Sequence, residues 1–200
     1  MNIDHSKPLE YSTEQNRLNI LGFWIFLGAE IMLFGTLFAS FFTLVDRIGS
    51  GPAGEEIFEM GPVLLETFFL LTSSFVIGLV VHAMRIGNKK AMITFFVITL
   101  LLGLGFLFLE INEFMTYYHE GATLQTSAFT SILFTTLGTH GAHVTLGIFW
   151  GTFIIIQVAR RGFTPETANK TFIFSLYWHF LDVVWIFIFT FIYLKGMTGV

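Results

Sequence analysis

The side chains that could do chemistry in this sequence sit inside otherwise apolar runs. Glu30 lies about ten residues into one run, near its middle. His140 and His143 are three residues apart in another, so on a helix they share a face. His179 and Asp182 repeat that spacing further on, flanked by Trp178 and Trp185. Three chemistries fit such a set. Imidazoles at i, i+3 could ligate one metal ion, and a lone axial histidine could hold a haem. Buried carboxyls beside histidines could pass a proton. The same groups could also form a neutral hydrogen-bonded cluster that fixes helix register. Without cysteine, thiolate ligands, disulfides and cysteine nucleophiles are excluded. No paired Glu-x-x-His repeat supports a di-metal bundle site. Glu66, Glu110 and Glu113 stand near the ends of their segments and are expected to reach the membrane interface, where lipid headgroups or a partner would meet them. No phosphate-binding loop, nucleophile elbow or dinucleotide fingerprint occurs, and no inverted repeat marks a secondary transporter.

The elements that position these groups are set by the bilayer. A hydrocarbon core of roughly 30 Å needs about 20 mostly apolar residues in a helix. Five runs meet that length, at about residues 20–44, 62–84, 91–117, 129–158 and 172–194. Backbone satisfaction inside lipid favours helices, and the runs are too long and continuous for barrel strands. The fold class is therefore all-α, a five-helix transmembrane bundle forming a single membrane domain over residues 1–200. Charged residues make up 12% of the chain against 54% hydrophobic, about half the usual charge of a soluble domain. The net charge of −4 lacks the basic footprint of a nucleic-acid binder.

The connections are short and polar. Residues 46–61 read as a loop with room for one helical turn, and Arg85–Lys90 as a tight turn. Thr164 reads as an N-cap with Pro165 at the first helical position. Gly35/Ala39, Gly138/Ala142 and Gly147/Gly151, each at i, i+4, mark places where helix backbones could approach. The N-terminal stretch is polar and lacks a signal peptide's apolar core, so the first segment is expected to direct insertion. Lys7, Arg17, Arg85, Lys89, Lys90, Arg160, Arg161 and Lys170 fall on the N-terminal side, against Arg47 and Lys195 on the other. That bias predicts a cytoplasmic N-terminus and an external C-terminus.

Five stretches carry a family resemblance: LGFWIFLGAEIMLFGTLFASFF (Leu21–Phe42), IFEMGPVLLETFFLLTSS (Ile57–Ser74), EINEF (Glu110–Phe114), GTHGAHVTLGIFW (Gly138–Trp150) and SLYWHFLDVVWIFIFTFIYL (Ser175–Leu194). In order and spacing they resemble subunit III of the haem–copper terminal oxidases, over nearly the whole chain. The Ile57–Thr67 pattern, the Arg160–Thr164 run and the five-helix length look most like the quinol oxidase branch, and closest to Gram-positive menaquinol oxidases. The resemblance implies a non-redox accessory subunit with no catalytic, cofactor or metal-binding residue of its own. Haems and copper would sit on subunit I, its direct partner, with subunits II and IV in the same complex. That complex would oxidise quinol, reduce oxygen to water and move protons across a bacterial plasma membrane. Subunit III would support proton uptake, protect the active site during turnover and hold phospholipid. By the same resemblance Glu30 is the family's buried carboxylate, with His143 and Asp182 as its polar partners. His140, His179 and Glu66 are secondary polar positions. A cytochrome c oxidase subunit III and a stand-alone small transporter are the alternatives.

Overall fold

The computed structural model describes residues 6–49, 51 and 54–198. Among the described residues, five helices are long and apolar enough to cross a membrane. They are α1 (Glu14–Leu44), α3 (Met60–Arg85), α4 (Lys89–His119), α5 (Ala128–Arg161) and α6 (Pro165–Ile188). The loop after α1 holds a single turn, α2 (Gly54–Ile57). Past α6 the backbone widens into a π-type stretch at Phe189–Leu194, then ends in α7 (Lys195–Thr198).

α1, α3, α4 and α5 extend past their apolar runs into polar ends, whereas α6 starts early, at Pro165, and its run is completed by the π-type stretch. Four of the five long helices have a side-chain cap at the N-terminus. The side chains of Thr13, Asn88, Ser127 and Thr164 each accept a hydrogen bond from a backbone N–H in the first turn. At Thr164 the cap is reciprocal with Thr167 and is followed by Pro165, as the sequence indicates. Helix-ending turns pass through Gly87 (φ 74°) and Gly162 (φ 70°), a backbone region that disfavours any Cβ.

α6 is the central helix, with 56% of its membrane window buried against 17% for α1. Its Trp178, 1% exposed, touches three neighbours. The indole Nε1 donates to Ser73 Oγ of α3 at 2.9 Å. Its ring lies where a Cβ on Gly103 of α4 would stand 2.8 Å away, and one on Gly147 of α5 would stand 3.0 Å away. Gly151 is similarly filled by Leu100 and Phe174. Of the three small-residue pairs in the sequence, only Gly147/Gly151 makes such a close approach. Gly35 and Gly138 have open space around them.

Polar contacts lock the N-terminal ends of α1 and α6 and the C-terminal end of α3. Glu10 is fully buried and accepts from Arg85 Nε and Nη2 of α3 at 2.9 and 2.8 Å. Asn169 of α6 donates to the Glu10 and Asn16 carbonyls, and Asn16 donates to that of Pro165. Burial, followed by the adjacent Glu10 carboxylate, pushes the Tyr11 phenol above its ordinary pKa.

The Trp178 packing gives a clean test. Gly103→Ala must displace a buried indole and is expected to destabilise by about 1–3 kcal/mol. Gly78→Ala, with nothing within 4 Å, is expected to be neutral or mildly stabilising. Thermal melts of the purified protein separate the two, and equal midpoints would contradict the packing.

Candidate functional site

α1 meets α5 at the bundle's middle through Glu30 and His143. Glu30 Oε2 and His143 Nε2 are 3.1 Å apart, with side chains 13% and 17% exposed. His143 Nδ1 lies 2.7 Å from the Thr139 carbonyl. A carbonyl can only accept, so Nδ1 carries a hydrogen. The Glu30–His143 bond then holds one proton, either on the carboxyl or on Nε2, and the pair is neutral overall in both arrangements. Such a pair avoids a lone charge in lipid, which would cost about 2.5–3.5 kcal/mol even on insertion scales. Phe34 packs on the imidazole at 5.3 Å, and the Tyr177 hydroxyl donates to the His143 carbonyl at 2.9 Å. The first contact positions the ring and the second the backbone that carries it.

Asp182 does not join this pair. The expected Glu30–His143–Asp182 cluster is divided, because α6 turns Asp182 towards α3 instead of α1. There Ser74 stands between two α6 side chains. Its hydroxyl is 2.8 Å from His179 Nδ1 and lies beside the Asp182 carboxyl. One turn on, Trp185 Nε1 donates to Thr67 Oγ1 at 3.0 Å. With Trp178–Ser73, these bonds join the Trp-His-Phe-x-Asp-Val-Val-Trp run of α6 to the hydroxyl side chains of α3. Ser73, Ser74 and Thr67 carry no signal of their own in the sequence, since hydroxyls in membrane helices usually bond their own backbone.

His140 is fully buried and separate again. Its Nε2–H reaches the Leu181 carbonyl at 3.2 Å, and its ring lies against Phe106 and Trp185. His140 and His143 therefore face different helices, and three of their four ring nitrogens are engaged with protein groups. No group of three or more His, Cys, Asp or Glu among the described residues is placed to hold a metal ion.

The acids near the segment ends are placed differently from expectation. Glu66, Glu110 and Glu113 do not reach the interface. They are 0%, 2% and 8% exposed and converge between α3 and α4. Glu113 accepts from the Tyr117 and Tyr193 hydroxyls, each at 2.6 Å. Tyr193 belongs to the π-type stretch, whose widened turn carries it inward. The Glu110 carboxyl fills the space beside Gly141 of α5, where a Cβ would lie 2.5 Å from Oε2. The i, i+3 spacing of Glu110 and Glu113 was the available sign that these two share a face. That the face points inward depends on α3.

The fold and these contacts define a multi-pass membrane protein in which interior indole, imidazole, amide and phenol groups bond from one helix to another. The chain belongs to the cytochrome c oxidase subunit III family, whose profile matches residues 11–197. It is 61% identical to quinol oxidase subunit 3 of Bacillus subtilis (strain 168), over 96% of this chain and 94% of that protein. It is 49% identical to a probable quinol oxidase subunit 3 of Staphylococcus aureus (strain USA300), over 96% of each. Cytochrome c oxidase subunit 3 of Bacillus sp. (strain PS3) is 47% identical, over 96% of this chain and 93% of its own. The family resemblance read from the sequence is borne out.

The division of the polar groups predicts a pattern of coupling. A double-mutant cycle between Glu30→Ala and His143→Ala should show an interaction on the order of 1 kcal/mol. The cycle between Glu30→Ala and Asp182→Ala should be additive within about 0.5 kcal/mol. Stability of the purified protein is the measurement, and strong Glu30–Asp182 coupling would restore the single cluster.

Proposed function

We propose that this chain is subunit III of a proton-pumping quinol oxidase in a bacterial plasma membrane. The observation that carries the reading is the 61% identity to a quinol oxidase subunit 3 across 96% of the chain. The reading also rests on the five-helix length and the interior contacts. Quinol is oxidised and oxygen reduced to water in the complex, by haems and copper on subunit I. This chain is a non-catalytic accessory, packed directly on subunit I with subunits II and IV nearby. Its N-terminus is cytoplasmic, following the eight-to-two Lys and Arg bias.

Its own residues do two things in this reading. The Glu30–His143 pair holds one proton within the bilayer without a net charge, and so supports proton uptake by the neighbouring subunit. The bonds from α6 to α3, Asp182 among them, keep the bundle rigid beside an active site that must survive many turnovers. Phospholipid covers part of the apolar surface, which is extensive along α1: Leu21, Trp24, Ile25, Ile31 and Met32 are all exposed.

The relative named as a cytochrome c oxidase subunit, at 47% identity, supports a second reading with cytochrome c as electron donor. Purification from native membranes tests both. Haem bands, a large membrane partner and quinol-dependent oxygen uptake are expected. Uptake driven only by cytochrome c, with a dinuclear copper centre on subunit II, would favour the second reading. A colourless chain without that partner would remove both and favour a stand-alone transporter.

Alanine at Glu30, His143 and Asp182 tests the supporting role. Initial oxygen uptake should stay near wild type, while activity decays severalfold faster over repeated turnovers. Stable assembly with unchanged decay in all three variants would leave the chain as a scaffold only.

A further inference from the structure

Glu66 is fully buried, yet neither of its carboxyl oxygens has a hydrogen-bond partner. Glu110 is in the same condition at Oε1. Buried polar atoms are nearly always bonded, and an orphan costs about 1–3 kcal/mol. Single unpartnered atoms also occur at Glu10, His140 and Asp182, but among the described residues Glu66 alone lacks a partner at both carboxyl oxygens, and with Glu110 in electrostatic reach the two call for a ligand.

The surroundings narrow its chemistry. Glu66 lies within the electrostatic reach of Glu110 and Glu113. The titratable groups facing the three are Tyr117 from α4 and Tyr193 from the end of α6, with His140 beside Gly141 on α5. The bonds Glu113 receives come from phenols, not from Lys or Arg. Three carboxylates this close cannot all be charged in a hydrocarbon interior. Protons on the carboxyls remove the repulsion, and water between them supplies the missing bonds. An open cleft of about 180 Å³ leads to the place, lined by Glu59, Pro62, Asn112, Glu113 and Tyr117. Glu113 and Tyr117 thus belong both to the buried cluster and to the cleft wall.

We propose that Glu66, Glu110 and Glu113, with Tyr117 and Tyr193, form a second buried site that holds water and exchangeable protons, filled through the cleft beside Asn112. It is distinct from the Glu30–His143 pair, which lies on α1 and α5. The inference rests on the geometry of this chain and does not depend on which electron donor its complex uses.

Infrared spectroscopy of the full chain, in the complex it purifies with, tests the site. The carbonyl stretch of protonated carboxyls should shift when H2O is replaced by D2O. Glu66→Gln and Glu110→Gln should each remove part of that exchanging band. A band that neither variant alters would show that no proton resides there. A band that the variants remove but that resists D2O would show that water does not enter. Asn112→Leu, on the exposed side of α4, leaves the core intact and should slow the exchange of the same band severalfold. An unchanged rate would overturn the cleft as the route, even if the Gln variants fail to assemble.

Discussion

An indole N–H in a hydrocarbon interior has no water to bond, so Trp178 must find its acceptor on another helix. It finds Ser73 of α3, and the reach requires α4 and α5 to close around the ring. Gly103 and Gly147 allow that closeness, since any larger residue would occupy the ring's own space. α6 becomes the central helix through this arrangement. The Ser74–His179 contact and the Trp185–Thr67 bond follow along the same α3–α6 seam. Lipid offers little hydrophobic drive between helices, so close packing and interhelical bonds decide which faces meet.

The same constraint sorts the ionisable groups. Glu30 is neutralised by sharing one proton with His143. Glu113 is held by two phenols. Glu10 lies at the N-terminal ends, where an arginine that still reaches solvent can pair with it. Glu66 stands apart because neither of its carboxyl oxygens has a hydrogen-bond partner. The bundle thus contains a closed polar pair at mid-membrane and an incompletely bonded acid group towards the end that carries the α3 N-terminus. The two lie on different helix pairs, and α5 passes both, with His143 at one and Gly141 at the other.

The similarity to quinol oxidase subunits gives the bundle a setting. α1 buries little of its own surface, as fits a helix whose apolar side faces lipid or a larger neighbour. The carboxyl–imidazole pair on that helix is partly exposed, so whatever covers α1 would also complete its surroundings.

The sequence by itself determined the five crossings, because hydrocarbon thickness sets a minimum apolar length that any reader can measure. It also determined the Thr164–Pro165 helix start, since a cap is a local interaction. The family was legible too, through patterns long enough to exclude chance. The Glu30–His143 pairing was legible only through that resemblance. The tertiary structure alone decided the rest. Asp182 shares the resemblance but faces α3, since the rotation of α6 follows from Trp178 and its glycines. Glu66, Glu110 and Glu113 look like interface acids from their place near segment ends. They are interior because α3 and α4 pack along their length and a widened turn after α6 brings in Tyr193. Sequence position reports depth in the membrane, whereas the direction of a side chain around its helix depends on which neighbours it can bond and how closely they approach.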